Sequence, residues 1–328
     1  MKAILQDRYG AADVLRFAET DMPAPADGDV LVRVHAAAVN AYDWHVMRGD
    51  PYVARLMAGD VFGRRGPRVA VRGRDFAGTV EAVGAGVTRF RVGDEVFGMA
   101  PGTFAEYAVA RADEIETKPA NLTFTQAAAL PLAGTTALEG LRDEGRIQPG
   151  QRVLVNGASG GVGAFAVQIA KAYGAYVTGV CSGGNAELVR GLGADAVVDY
   201  RRADFTAGPG HHDLVLDLVG NRSLGDLRRA LTPTGTLVLS GGGVFRGGSV
   251  LGPITLIVRG RLTAPFIRQR VRVLTTAGGR ANLAALRELA EAGKLTPAVD
   301  RTFGLPEAAE AIRYVETGHA RGKVVVAL

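Results

Sequence analysis

The 328-residue chain has one cysteine, Cys181. No intrachain disulfide can form, and neither a zinc ribbon nor a four-cysteine structural metal site is possible. Blocks of like charge are missing too. The balance is 38 Lys and Arg against 33 Asp and Glu, or 38 − 33 = +5. The densest basic run, Arg259, Arg261, Arg268, Arg270 and Arg272, stands among apolar residues rather than interleaved aromatics, so no nucleic-acid partner is expected. The longest apolar stretch, residues 251–258, is far short of the ~20 residues of a membrane span, which excludes a helical membrane anchor there. Residues 1–7 show no basic segment leading into an apolar run. Without a secretory signal of that kind, the expectation is a soluble, cytoplasmic protein.

What is present suggests two domains, at roughly 100–200 residues each. Between 30 and 107, short β-branched runs (30–39, 77–83, 95–99, 104–109) are broken by Gly, Pro and Asp and read as strands of a β-rich unit. Residues 126–139 are rich in Ala and Leu and read as helix. From 152 the texture alternates: strands at 152–156, 176–181, 196–200, 213–218, 236–240 and 270–275, with helices at 164–173, 185–192 and 223–230 between them. Five of these strands are nearly continuous apolar runs, as parallel strands buried on both faces require; the sixth, carrying Arg270 and Arg272, reads as an edge. The expected fold is α/β with a doubly wound parallel sheet. Two helices (281–292, 306–316) and a strand (323–327) close the chain.

The segment Asn156-Gly157-Ala158-Ser159-Gly160-Gly161-Val162-Gly163 follows a strand and opens a helix. In that setting glycines let the backbone approach a pyrophosphate, and the helix N-terminus offers it free N–H groups. The spacing reads either as Gly157-x3-Gly161-x-Gly163, the short-chain dehydrogenase pattern, or as Ala158-x-Gly160-x-x-Gly163, a Rossmann turn with Ala first. Short-chain enzymes need a Tyr with Lys four residues on, which none of the eight tyrosines has, so the second reading stands. An NAD site would place an acid at the end of the second strand to hold the ribose 2′-OH. Here that end reads Cys181-Ser182-Gly183-Gly184, without a carboxylate, which favours NADPH, and Tyr200 and Arg201 after the third strand are candidate donors to its 2′-phosphate.

With these motifs assembled, the chain resembles the medium-chain dehydrogenase/reductase superfamily and, within it, the zinc-less quinone oxidoreductase branch. The resemblance is carried by Ala38-Val39-Asn40-Ala41-Tyr42-Asp43, Gly73-Arg74-Asp75-Phe76-Ala77-Gly78, Val92-Gly93-Asp94-Glu95-Val96, Ala133-Gly134-Thr135-Thr136-Ala137, the glycine turn, Leu192-Gly193-Ala194-Asp195 and Arg321-Gly322-Lys323-Val324-Val325. It implies a GroES-like catalytic domain (1–124 with 277–328) interrupted by a Rossmann domain (125–276), and a homodimer formed through the last Rossmann strand. Zinc-dependent relatives place Cys where this chain has Asn40 and Gly-His-Glu where it has Gly73-Arg74-Asp75. An arginine cannot ligate a metal, so no metal is expected. Related NADPH enzymes carry Lys or Arg just after the second strand; Gly183 and Gly184 stand here, leaving NADH possible.

The resemblance also implies site residues. Asn40, Tyr52 and Thr135 are the catalytic candidates: Asn40 and Thr135 beside the nicotinamide, and Tyr52 as donor to the substrate oxygen, with a loop tyrosine as the alternative for Tyr52. The cofactor set comprises Asn40, Thr135, Ala158, Ser159, Gly160, Gly161, Val162, Gly163, Cys181, Ser182, Tyr200, Arg201, Leu218, Val219, Ser240, Gly241 and Lys323. Phe245, Leu251, Ile254 and Phe266 are expected either to wall an apolar substrate pocket or to lie at an interface. His45 reads as structural, and the His211-His212 pair, lacking a third ligand, is not read as metal-binding. The expected activity is NADPH-dependent, zinc-independent hydride transfer to a quinone or to the activated C=C of an α,β-unsaturated carbonyl, the substrate being small and apolar. Alternatives are an alcohol or aldehyde dehydrogenase of the same superfamily and a non-catalytic NADPH-binding protein.

Overall fold

The structure is a computed structural model that describes all residues except 54, 56–58, 60, 64–65, 209, 241–253 and 277, together with the side chains of 254, 255, 257 and 265. The chain divides into two compact units, Met1–Ala133 with Gly278–Leu328, and Gly134–Val244 with Leu251–Ala277.

The first unit begins with an antiparallel pair, β1 (Lys2–Leu5) and β2 (Arg16–Glu19). β3 (Asp29–Val39) is its long central strand, and α1 (Ala41–Arg48) follows at once, closed by Gly49 in the left-handed region at φ 62°. β4 (Asp75–Val83), β5 (Glu95–Met99), β6 (Tyr107–Arg111) and β7 (Ile115–Thr117) complete the leading part. The single helix expected over 126–139 is instead two, α2 (Phe124–Ala128) and α3 (Pro131–Leu138). Pro131 lacks the N–H that would continue the first, and is tolerated at the start of the second. The first compact unit reaches Ala133, past the boundary expected after 124, because α2 packs on β3 and β4.

The second unit runs β8 (Arg152–Asn156), α4 (Gly161–Ala172), β9 (Tyr176–Cys181), α5 (Ala186–Gly191), β10 (Ala196–Asp199), β11 (His212–Asp217), α6 (Leu224–Arg229), β12 (Leu231–Leu239), α7 (Ile254–Thr263) and β13 (Arg270–Val273). All six strands pair in parallel in the order β10-β9-β8-β11-β12-β13, a doubly wound sheet whose order reverses between β8 and β11. The apolar runs of β8 and β11 explain the parallel choice: Val153, Leu154, Val155, Leu214, Val215 and Leu216 are buried, covered on both faces.

The chain then returns to the first unit through α8 (Arg280–Glu291), β14 (Val299–Gly304), α9 (Ala308–Glu316) and β15 (Lys323–Ala327). β15 pairs antiparallel with β3 and parallel with β14, giving a seven-stranded sheet ordered β14-β15-β3-β4-β5-β7, with β6 also on β3. Its core includes Phe76, Phe104, Val32, Val324 and Val326. Complete burial of side chains of this size contributes about 1.5–3 kcal/mol each.

Candidate active site

In the first unit, three strand ends meet. Ala38 stands opposite Asp75 in the β3–β4 register, and Val39 opposite Val324 in the β3–β15 register, so Asn40, Asp75 and Lys323 come together although 35 and 283 positions apart. The Lys323 ammonium donates to the Asn40 side-chain oxygen and to the Val39 carbonyl (3.2 Å), and lies 3.9 Å from Asp75 Oδ2. Asn40 Nδ2 donates to Asp75 Oδ2 at 3.0 Å, and the Leu132 N–H donates to the same carboxylate at 3.2 Å. The Asn40 backbone N–H donates to Asp43 Oδ2 at 2.7 Å, fastening the start of α1.

All four side chains are buried. Burial pushes the Asp75 carboxyl up to about 6, against the opposing pull of Lys323 and Asn40. Burial likewise raises Asp43 and lowers Lys323, the nearby carboxylates resisting the second shift. Both ends of the Asn40 amide are thus engaged inside the unit, and the Lys323 ammonium, expected at the cofactor, hydrogen-bonds Asn40 and the Val39 carbonyl. Asn40, expected beside the nicotinamide, has its amide spanning Lys323 and Asp75.

These residues do not fit a zinc ion. The positions that resemble the ligand positions of zinc enzymes hold an amide, an arginine and a carboxylate already facing an ammonium. Arg74 lies against the Tyr42 ring, its guanidinium carbon 5.2 Å from the centroid. Among the described residues there is no group of three His, Cys, Asp or Glu able to hold a metal.

Tyr52 is 49% exposed, with the Arg55 guanidinium 4.9 Å from its ring centroid. Arg55 is itself fixed by donation to the Gly49 carbonyl at 2.8 Å. His45 hydrogen-bonds the Asp50 carbonyl through Nδ1 at 2.7 Å and stacks on Trp44, and burial lowers its pKa.

The second unit contains the glycine turn. Gly157 has φ +89°, and a Cβ on Gly163 would lie 2.0 Å from the Gly157 carbonyl oxygen, so the turn closes only around glycine. Gly160, in extended conformation, precedes α4, leaving the N–H groups of Gly161, Val162 and Gly163 at the helix entrance. The Ala158 methyl, where a Rossmann turn has its first glycine, faces Gly179: a Cβ on Gly179 would stand 3.0 Å from it. Ser159 Oγ accepts from Asn185 Nδ2 at 3.0 Å. Thr135 is fully buried and its hydroxyl has no hydrogen-bond partner. A cradle that any side chain would fill and an orphaned hydroxyl fit a dinucleotide.

At the end of β9, burial and the nearby Asp199 raise the Cys181 pKa, keeping the thiol protonated and unreactive. Asp199 is a residue that sequence reasoning misses. No acid stands on β9, but the Asp199 carboxylate reaches in from β10: a Cβ on Gly183 would be 2.6 Å from its Oδ2. Only the spatial adjacency of β9 and β10 exposes it. Beyond Asp199 come Tyr200, whose N–H donates to the Cys181 carbonyl at 3.2 Å, and Arg201, 5.9 Å from the Tyr200 ring. Ser182 precedes the short 3-10 turn Gly183–Asn185, its backbone carbonyl accepting from the Asn185 N–H at 2.9 Å. The Leu218 N–H donates to the Asn156 carbonyl at 3.2 Å and the Ser240 N–H to the Asp217 carbonyl at 3.1 Å; Val219 packs toward Gly157.

Gly241, Phe245 and Leu251 lie outside the described residues, as does the side chain of Ile254. Phe266, expected at a pocket wall or an interface, is 86% exposed. His211 and His212 are adjacent rings 4.2 Å apart, and burial takes His212 down to about 4.

Residues 26–120 match the alcohol dehydrogenase GroES-like domain, and 192–326 match the zinc-binding dehydrogenase family. The chain is 35% identical over 360 residues to NAD(P)H oxidoreductase RTN4IP1, mitochondrial, of Bos taurus, covering 99% of this chain and 89% of that protein. It is 34% identical over 343 residues to the NADPH-dependent alkenal/one oxidoreductase, chloroplastic, of Arabidopsis thaliana, covering 99% and 79%. Among solved structures, the quinone oxidoreductase from Coxiella burnetii matches at 32% identity and TM-score 0.84, covering 100% and 99%. A mycobacterial protein solved in complex with NADPH matches at 28% and 0.83, covering all of both chains. The expectation of a cytoplasmic location is overturned by these relatives, which are named for mitochondria and chloroplasts.

Proposed function

The chain belongs to the medium-chain dehydrogenase/reductase superfamily, in its quinone oxidoreductase branch, and is an NAD(P)H-dependent oxidoreductase; on that premise we propose that it reduces a quinone or the activated C=C of an α,β-unsaturated carbonyl without zinc. The observation that carries this reading is the Asn40–Asp75–Lys323 network. A protonated lysine supplies the positive charge to the buried carboxylate, so a divalent cation has neither the ligands nor the unbalanced negative charge to bind there. Lacking a Lewis acid to bind an alkoxide, alcohol oxidation is poorly supported, whereas a conjugated acceptor spreads the incoming charge into its own carbonyl.

NADPH, when bound, supplies the hydride. The glycine turn and the N-terminus of α4 hold its pyrophosphate, and the Thr135 hydroxyl bonds its carboxamide. Tyr52 donates a hydrogen bond to the acceptor oxygen as charge develops there, and its exposed phenol exchanges protons with water. The first unit corresponds to the catalytic domain. β13, the outer strand of the second unit's sheet, pairs with its counterpart in a second copy of the chain. The names of the relatives, which include alkenal/one and quinone oxidoreductases, support this choice of acceptors.

The test is NADPH consumption with a panel of quinones, enones and secondary alcohols. Turnover with quinones or enones is expected. Turnover confined to the alcohols, or tight NADPH binding with no turnover on any acceptor, overturns the reading.

A further inference from the structure

We propose that Asn156, Asp217 and Asn221 form a positioning triad that fixes the loop 218–221 against the glycine turn and so sets the affinity of the crevice for NADPH. Asn156 ends β8 and Asp217 ends β11; the two are register partners, at the point where the strand order reverses. That is where an open α/β sheet receives its ligand. Both are buried polar side chains.

One carboxylate oxygen does most of the tying. Asp217 Oδ1 accepts from Asn156 Nδ2 at 2.8 Å, from the Val219 N–H at 3.3 Å and from the Gly220 N–H at 3.2 Å. Asn156 Nδ2 also donates to Asn221 Oδ1 at 3.0 Å, and the Asn156 backbone carbonyl accepts from the Leu218 N–H. Every residue from 218 to 221 is therefore bonded to one of two side chains or backbones at the strand ends. The loop is drawn in until Val219 Cγ2 lies 2.8 Å from where a Cβ on Gly157 would stand, so it touches the turn itself. Asp217 Oδ2 is buried with no hydrogen-bond partner, an unsatisfied acceptor that a purely structural clamp has no reason to keep.

The pairing is directional: Asn156 donates and Asp217 accepts. Asn156→Asp sets two carboxylates face to face and is expected to raise the NADPH dissociation constant, measured by fluorescence titration without acceptor, by about tenfold or more. Adding Asp217→Asn removes the like-charge repulsion, and the amide oxygen introduced on β11 can still accept from the Val219 and Gly220 N–H groups. The double variant is expected to recover part of the affinity lost in Asn156→Asp. Should Asn156→Asp not fold, Asn221→Ala, on the exposed side of the loop, is expected to weaken NADPH by about threefold with the cofactor-free melting temperature unchanged. Three results overturn the proposal: NADPH affinity unchanged in Asn156→Asp and Asn221→Ala, no recovery in a folded double variant, or affinity losses that merely follow losses of melting temperature.

Discussion

The Lys323 ammonium stands 3.9 Å from the Asp75 carboxylate, both fully enclosed, with the Asn40 amide bonded to each. A buried ion pair of this kind adds little compared with well-packed apolar residues, but removing one partner leaves a charge without compensation. Lys323→Met is therefore expected to lower unfolding free energy by about 3–5 kcal/mol in urea titrations. Asp75→Asn/Lys323→Met, which removes both charges, is expected to recover much of that loss. A single variant as stable as wild type would contradict the assignment.

Two buried groups give opposite pH dependences. The Asp75 pKa is raised from 3.8 to about 6 in the fold, so the folded state binds the proton more tightly; its contribution is present below 3.8 and lost as pH rises through about 6. The His212 pKa falls from 6.5 to about 4, so its contribution is present above 6.5 and lost as pH drops toward 4. In the wild type the two slopes oppose each other between pH 4 and 6. Asp75→Asn is expected to leave stability rising with pH, and His212→Gln to leave it falling. Urea midpoints across that range check the signs.

The glycine turn separates packing from binding. Gly163→Ala drives a methyl into the Gly157 carbonyl and is expected to cost both melting temperature and NADPH affinity. At Gly160 the nearest atom to a new Cβ is that same oxygen at 3.4 Å, an ordinary contact. Gly160→Ala is expected to keep the melting temperature while weakening NADPH by about tenfold, because the methyl obstructs only the cofactor's approach. Thermal melts and NADPH titrations on both variants make the comparison.

Asp199 places a negative charge at the end of β9, beside Gly183. Removing one charge near a partly solvated phosphate is worth about 1 kcal/mol, or about fivefold. Asp199→Asn is expected to raise kcat/KM for NADPH relative to NADH by that factor. A ratio unmoved by the substitution would show that the carboxylate does not sense the 2′-phosphate.

The legible parts of this protein are those written locally. The parallel strands announce themselves as apolar runs, and the glycine turn is eight consecutive residues between a strand and a helix, so β8, β9 and the entrance to α4 follow from the chain order. The network of Asn40, Asp75 and Lys323 does not, because the β3–β15 pairing brings together Asn40 and Lys323, which are 283 positions apart. Asp199 escapes a reading along the chain for the same reason: it acts on β9 from the neighbouring strand. Pro131 is a local signal, but the surrounding Ala and Leu mask it by making one long helix look continuous. Hydrophobicity alone leaves Phe266 open between a pocket wall and an interface, because it does not distinguish a wall from an exposed face.

The central claim is hydride transfer from NADPH to a conjugated acceptor without a metal. The direct measurement is NADPH oxidation by a quinone or enone with enzyme that has been treated with chelator and shown by elemental analysis to be free of zinc. The account predicts an undiminished rate, unchanged when zinc is added back; loss of the rate on chelation and its return with stoichiometric zinc would contradict it.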